Sequence, residues 1–355
     1  MYSAKIRVYY HLEKGTIVLR TEKDWNEDIY PVDVNEKEHY YEFHLKHDKY
    51  YLNAKPCIRD GSEVIWAKGD NRQIVFDLKE VINNYPYFYS EPVGKITDVI
   101  EFYSHVYNKK RLFRIYLPAG YNENQMKKYP ILYMHDGSNL FFPEEAFGGS
   151  EWQVDETLQL LDSMNIIDQM IVVGVYAADR NNEYTKPGYE DYGKFMVNEL
   201  KPWVDANLRT LTTPWYTGIM GSSLGGVVSF YLAWEYPHIF GSAACFSSTF
   251  SWRDDLIHRV ETDSFEERKN LKFYIDTGWP GDNYEVGFKM ASTLVTRGFR
   301  AGRDFMYLVF PMAKHNEADW ATRLHIPMQL FAGKLRNLNL KFHVPEAKIQ
   351  STTHD

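Results

Sequence analysis

The stretch Tyr216-Thr217-Gly218-Ile219-Met220-Gly221-Ser222-Ser223-Leu224-Gly225-Gly226-Val227-Val228-Ser229-Phe230 passes from one short apolar run, through a glycine-rich turn, into a second. The first run, Tyr216–Met220, reads as a strand covered on both faces. The second, Leu224–Tyr236, reads as a helix stopped by Pro237. Between them Gly221-Ser222-Ser223-Leu224-Gly225 has the form Gly-x-Ser-x-Gly. A sharp strand-to-helix turn strains its central residue and brings strand and helix so close that the residues two before and two after must lack side chains. That requirement selects Ser223, because Ser222 would need glycine at positions held by Met220 and Leu224.

Outward from this turn, short apolar runs alternate with helix patterns. Leu112–Pro118, Pro130–Met134, Met170–Tyr176, Gly241–Ser247, Leu271–Asp276 and Asp304–Phe310 read as strands, several of them continuously apolar. Ser150-Glu151-Trp152-Gln153 has the Ser-x-x-Gln form of a capping box opening a helix to Leu161, and helices are expected over Asp191–Ala206 and over Glu285–Arg297, ended by Gly298. Residues 98–335 are therefore expected to form an α/β domain around a mostly parallel sheet. Before them the pattern is different. Ile6, Val8 and Tyr10 alternate with Lys5, Arg7 and Tyr9, and runs at 5–10, 15–20, 40–46, 50–58, 63–67 and 73–77 are separated by Lys14-Gly15, Asp60-Gly61 and Gly69-Asp70-Asn71. This is the signature of a small all-β sandwich over residues 1–78. Residues 79–97, with Asn84-Tyr85-Pro86 and Glu91-Pro92, are expected to connect the two domains, and 336–355 form a polar tail with no assigned structure.

Composition narrows the function classes. A chain of 355 residues with 44% apolar and 16% aromatic side chains buries a large core and is not disordered. A net charge of −8 offers no basic excess to neutralise nucleic-acid phosphates or an anionic membrane. Cys57 and Cys245 are too few for a disulfide framework or a cysteine-based zinc site and are expected to be buried thiols. The first ten residues lack a secretory apolar core, and no run approaches a membrane span, so the default expectation is a cytoplasmic protein whose oligomeric state is open.

A serine hydroxyl is a weak nucleophile and needs a histidine to take its proton and an acid to orient that histidine. After a turn of this kind the expected chain order is serine, acid, histidine, each on a loop that follows a strand. Of the twelve histidines, His315 follows the last strand; His238 ends the helix after the turn, His258 precedes the acid-bearing strand, His325 falls in a helix pattern, and His343 and His354 are in the tail. The loop Thr277-Gly278-Trp279-Pro280-Gly281-Asp282-Asn283-Tyr284-Glu285 offers Asp282 as the favoured acid, with Asp276 second and Glu285 third. An oxyanion needs backbone donors: the Leu224 N–H after the serine, and the Ser138 N–H in the loop His135-Asp136-Gly137-Ser138-Asn139-Leu140, where Gly137 is expected to permit the turn. His135 and Asp136 do not complete a metal-ligand pattern, so no metal and no cofactor is expected.

These segments resemble the putative-esterase family of α/β-hydrolases, the group of enterochelin, feruloyl and acetyl xylan esterases, S-formylglutathione hydrolase and mycolyltransferases. Arg114-Ile115-Tyr116-Leu117-Pro118 is similar to the family's entry strand, Tyr129–Phe141 to its oxyanion strand and loop, Gly221–Gly226 to its nucleophile elbow, and His315-Asn316-Glu317-Ala318-Asp319-Trp320 to its histidine segment. The resemblance implies an α/β-hydrolase fold and ester hydrolysis without a cofactor, with the family's serine at Ser223, its histidine at His315 and its oxyanion donors at Ser138 and Leu224. Its acid follows a Gly-Thr-x-Asp-like turn, from which Gly278-Trp279-Pro280-Gly281-Asp282 departs. The N-terminal part resembles starch-binding and early-set modules through Ile65–Asn71 and Trp25, which makes sugar stacking one role for Trp25 and Trp66 and core filling the other. Asn139, Arg180 and Tyr184 are the expected substrate contacts, with Phe141, Phe142 and Phe147 as an aromatic wall. The leading expectation is a serine carboxylesterase acting on an ester of a sugar or another polar alcohol; an acyltransferase with the same acyl-enzyme, and a glycan-binding or assembly module without turnover, are the alternatives.

Overall fold

The structure is a computed structural model and describes residues 1–76, 81–253 and 255–334; the tail 336–355 lies outside these residues. Among the described residues, nine short strands precede residue 85: β1 (Tyr2–Tyr9), β2 (Thr16–Thr21), β3 (Asp24–Ile29), β4 (Asp33–Asn35), β5 (Tyr40–His47), β6 (Tyr51–Asp60), β7 (Glu63–Trp66), β8 (Arg72–Val75) and β9 (Ile82–Asn84). They form two sheets, β4-β5-β1-β9 and β3-β2-β6-β7 with β8 also on β6. Strand alternation points one face of each sheet inward. Ile6, Val8, Phe43 and Leu45 of the first sheet meet Ile17, Leu19, Leu52, Ile58 and Ile74 of the second in one core. The expected connector is not plain loop, since Ile82–Asn84 adds a parallel strand to β1.

The remaining strands are β10 (Lys95–Ile96), β11 (Ile100–Ser104), β12 (Lys109–Leu117), β13 (Ile131–His135), β14 (Ile171–Val175), β15 (Thr217–Ser222), β16 (Ser242–Phe246), β17 (Lys272–Trp279) and β18 (Phe305–Pro311). They build one sheet in the order β10-β12-β14-β13-β15-β16-β17-β18, with β11 also on β12. From β14 to β18 all pairings are parallel, and β10 to β12 are the antiparallel part. The helices are α1 (Val154–Ser163), α2 (Arg180–Glu183), α3 (Gly188–Phe195), α4 (Lys201–Asn207), α5 (Leu224–Glu235), α6 (Leu256–Thr262), α7 (Tyr284–Thr296), α8 (Glu317–Arg323) and α9 (His325–Ala332). Two apolar cores result. One packs α5 and its neighbours under Ile219, Ala243 and Phe273, and the other packs α1 and α9 over Leu132, Met220 and Tyr274.

Two local expectations fail for physical reasons. The Ser150–Gln153 capping box does not form: α1 starts at Val154, and Gln153 is left-handed at φ 52° with no side-chain cap bond. Trp152 and Val154 instead donate their N–H groups to the Asn139 and Leu140 carbonyls, which draws this segment onto the loop after β13. The helix expected over 191–206 begins at Gly188 and ends at Asn207, with a π-turn over Met196–Leu200 joining α3 to α4.

The two parts dock through partly buried polar contacts. Glu123 accepts N–H bonds from Phe88, Tyr89 and Ser90 and a hydroxyl bond from Tyr10 at 2.9 Å, and these donors outweigh burial and hold its carboxyl below the usual range. Arg72 on β8 pairs with Asp162 on α1 at 2.8 Å. A fully buried pair lies within the larger part: Arg111 on β12 and Glu183 on α2 are 1% and 2% exposed, with Arg111 Nη2 donating to Glu183 Oε2 at 2.7 Å. Breaking one side of such a pair strands a charge, so Arg111→Met is expected to destabilise by about 3–5 kcal/mol in urea unfolding, and Arg111→Met with Glu183→Met to recover much of that loss.

Candidate active site

Ser223 stands between the end of β15 and the start of α5, at φ 53° and ψ −118°. A residue with a side chain holds such a conformation only when its surroundings enforce it. Here they do. A Cβ on Gly221 would lie 2.7 Å from the Gly225 carbonyl, and one on Gly226 1.9 Å from Ser248 Oγ. Ser222 is buried within β15, whereas Ser223 is partly exposed; the tightest exclusion after the turn falls at Gly226, since a Cβ on Gly225 would stand 3.2 Å from the Asp136 carboxylate.

The acid and the histidine meet across the ends of the neighbouring strands. Ser222, Phe246, Asp276 and Leu308 are in register across β15, β16, β17 and β18, so the loops that follow all open on one edge. Asp282, after β17, places Oδ1 2.5 Å from His315 Nδ1, after β18. Its Oδ2 accepts the Gly278 N–H at 2.7 Å and the Ser247 hydroxyl at 2.5 Å. Burial would raise the Asp282 carboxyl, but its bonds from His315, Ser247 and Gly278 outweigh that and hold it below the usual carboxylate range. Asp276, the second choice, faces away from His315 into the sheet: it pairs with Arg323 at 3.2 Å and accepts from Tyr274 at 2.7 Å, and burial pushes it up to about 7 against the pull of Arg323. Glu285 lies in the first turn of α7, where it favours the helix dipole.

The loop after β13 is a single 3-10 turn, Gly137–Asn139, and the residue with positive φ is Asp136 at 55°, not Gly137. Gly137 is needed for a different reason, since a Cβ there would meet the Gly174 carbonyl at 2.5 Å. Arg180 grips Asp136 at 3.0 and 3.1 Å and donates to the Ser222 carbonyl at 3.2 Å, tying this loop to the elbow. Asn139 donates to Glu317 at 3.1 Å, which ties the same loop to the histidine segment. Burial raises the Glu317 carboxyl, and Asp136 adds to the effect. Leu224 N–H belongs to the first turn of α5, whose amides have no carbonyl within the helix.

Several expected contacts are corrected. Tyr184 is fully buried, and its hydroxyl accepts the Asp136 N–H at 3.2 Å, so it supports the loop from beneath and cannot touch a ligand. The Asn139 side chain is engaged by Glu317 and by the Phe147 N–H, while Arg180 keeps 39% of its side chain exposed. Of the expected aromatic wall, Phe141 is core, Phe142 packs against that core under the Arg114 guanidinium, and Phe147 is exposed. Trp25 and Trp66 meet at 6.2 Å, and Trp66 lies in register with the buried Cys57, on the sheet face opposite the sandwich core, with Arg20 5.0 Å over its ring. Residues missed in the sequence are Ser247, Trp320 and Arg323. Trp320 and Arg323 are three apart on the helix that begins two residues after His315, a signal the sequence did contain.

A parallel sheet with a serine on the strand-to-helix turn, an acid two strands over and a histidine after the last strand defines an α/β-hydrolase. The sequence profile of the putative-esterase family matches residues 104–326, and the chain belongs to that family. A solved ferulic acid esterase superposes with a TM-score of 0.58 at 18% identity over 68% of this chain and 98% of that one. Ferric enterobactin esterase from Salmonella typhimurium superposes with a TM-score of 0.54 at 13% identity over 93% of each chain, so the shared fold extends through the N-terminal sheets. In sequence, the chain is 31% identical over 147 residues to the uncharacterised YjcH of Bacillus subtilis, covering 40% of this chain and 57% of that protein. It is 27% identical over 154 residues to an endo-1,4-beta-xylanase/feruloyl esterase of Xylanibacter ruminicola, 40% of this chain and 20% of that one. The chain thus spans little more than half of the first relative and a fifth of the second.

His135, under the loop, gives this region a pH signature. Its Nδ1 lies 2.9 Å from Tyr192 Oη, its Nε2 has no partner among the described residues, and burial lowers its pKa to about 3. An unfolded histidine titrates near 6.5, so from there down to about pH 3 the unfolded chain binds a proton that the folded one does not, and stability falls as the pH falls. Between pH 7 and pH 5 the expected loss from this residue is about 2 kcal/mol. Urea unfolding at both pH values should show a shallower pH slope in His135→Phe than in the parent; equal slopes would refute the assignment.

Proposed function

We propose that the protein is a serine carboxylesterase that works through an acyl-enzyme on Ser223. The observation that carries the reading is the 2.5 Å contact between His315 Nδ1 and Asp282 Oδ1 on the sheet edge that also carries the strained Ser223. With Asp282 ionised, Nδ1 donates to it and Nε2 is left as the base. His315 takes the Ser223 proton as Oγ attacks the ester carbonyl, and the Leu224 and Ser138 N–H groups hold the oxyanion. The protonated imidazole then gives its proton to the leaving alcohol. Water, deprotonated by His315, releases the acid and restores the serine. No step requires a metal or a cofactor, and among the described residues no cluster of three metal-ligating side chains occurs.

The similarity to an endo-1,4-beta-xylanase/feruloyl esterase supports an alcohol that is a sugar or another polar molecule. Arg180, half-open beside the elbow, is the side chain proposed to meet a polar group of the substrate. A fluorophosphonate probe should label the protein, and Ser223→Ala should abolish both labelling and hydrolysis of an activated acetyl or feruloyl ester. Asp282→Ala is expected to lower kcat by on the order of 10³–10⁴-fold through loss of the histidine's orientation. Wild-type protein that is neither labelled nor active on any ester of a panel would sink the proposal.

A further inference from the structure

Ser247 is a second serine at the catalytic edge, and the mechanism above does not use it. It follows β16, is fully buried and has φ 46°, a left-handed conformation that disfavours side chains. Its backbone is fixed on both sides: its N–H donates to the Asp276 carbonyl at 2.9 Å, and its carbonyl accepts from Asn283 Nδ2 at 2.8 Å. Its hydroxyl is saturated. Oγ donates to Asp282 Oδ2 at 2.5 Å and accepts from Trp320 Nε1 at 3.0 Å and Arg323 Nη2 at 3.3 Å. Both acceptor bonds come from α8, which begins two residues after His315, and the Trp320 ring stands edge-on to the His315 ring with centroids 5.0 Å apart.

One hydroxyl thus connects the acid loop to the helix that carries the histidine. A carboxylate bonded through only one oxygen swings about its Cβ–Cγ bond; here Oδ2 is held by Ser247 and Gly278, which leaves Oδ1 to face Nδ1. A plain core serine has no need of a strained backbone or of two cationic or aromatic N–H donors aimed at its oxygen. We propose that Ser247 is a positioning residue of the active site, which holds Asp282 square to His315 and moderates how strongly that carboxylate attracts the imidazolium. The inference rests on the Ser223–His315–Asp282 reading.

The charged groups around the imidazole are Asp282 from the loop after β17 and Glu317 from α8, with Asp136 and Arg180 beyond Glu317 and the Asp276–Arg323 pair beneath Asp282. Replacing Ser247 removes none of these charges; it takes one donor from Asp282 and one acceptor from Arg323, whose pairing with Asp276 at 3.2 Å remains. Loss of the hydroxyl removes a donor that shares the Asp282 charge, so more of that charge faces His315 and its protonated form is favoured.

The test compares the parent with Ser247→Ala and with Ser247→Gly, the latter free of the positive-φ strain that a Cβ carries there. The acid limb of the kcat/KM profile should move up by about half a pH unit. At the same time kcat should fall between about 10- and 100-fold, with KM within twofold, as the acid and base lose alignment. A purely structural role would lower the melting temperature and leave the limb in place. The His315 imidazole is also titrated by NMR without substrate in all three proteins. An unmoved His315 titration and an unmoved limb overturn the role of Ser247. A shifted titration in a protein that hydrolyses no ester supports the positioning role and overturns the esterase reading instead.

Discussion

The whole catalytic edge depends on the contact between the backbones of Gly221 and Gly225. With a Cβ at Gly221 only 2.7 Å from the Gly225 carbonyl, the chain has no room to leave β15 and enter α5 except through the Ser223 turn. The strain in that turn is of the order of 1–3 kcal/mol and needs rigid support. Support comes from both sides. α5 is buried along nearly its whole length, and β15 lies in the middle of a sheet whose neighbours are paired on each side. The same geometry sets the first amides of α5, which have no carbonyl within the helix, next to Ser223 in the chain, so one steric fact places both the hydroxyl and these free amides.

Below the edge lies a buried polar layer that gives two aspartates different work. Asp276 and Asp282 are six residues apart and both nearly inaccessible, yet their surroundings separate them. Asp276 sits within β17 and faces a guanidinium and a phenol, a closed pairing that holds α8 to the sheet through Arg323. Asp282 sits past the strand end, where backbone and hydroxyl donors favour its charge and leave one oxygen for the imidazole. Position relative to the strand terminus, more than residue type, decides which carboxylate orients the histidine.

Much of this was legible in the sequence because the signals were local or ordered. The glycine spacing singled out Ser223, the rule of one functional loop per strand singled out His315, and the apolar runs gave the parallel strands β13 to β18. What the sequence hid were long-range competitions. Ser150 and Gln153 have the residues of a capping box, but Trp152 and Val154 bond to the loop after β13 first. Tyr184 follows a strand on the correct edge, yet its phenol is taken by the Asp136 amide, and nothing local distinguishes that from exposure. Ser247 carries no motif at all, and its importance arises only when β16, the acid loop and α8 are brought together.

The docking of the N-terminal sheets has a consequence of its own. Glu123, Asp162 and Asn165 all precede the strands that follow them, β13 and β14, so the sandwich grips the sheet at the end where its parallel strands begin. Ser223, Asp282 and His315 lie where those strands finish. A five-residue strand is about 16 Å long, so the two regions are separated by the full depth of the sheet. Among the described residues, these contacts lie away from the Ser223 edge, so a molecule held on the sandwich would sit a sheet's depth from Ser223.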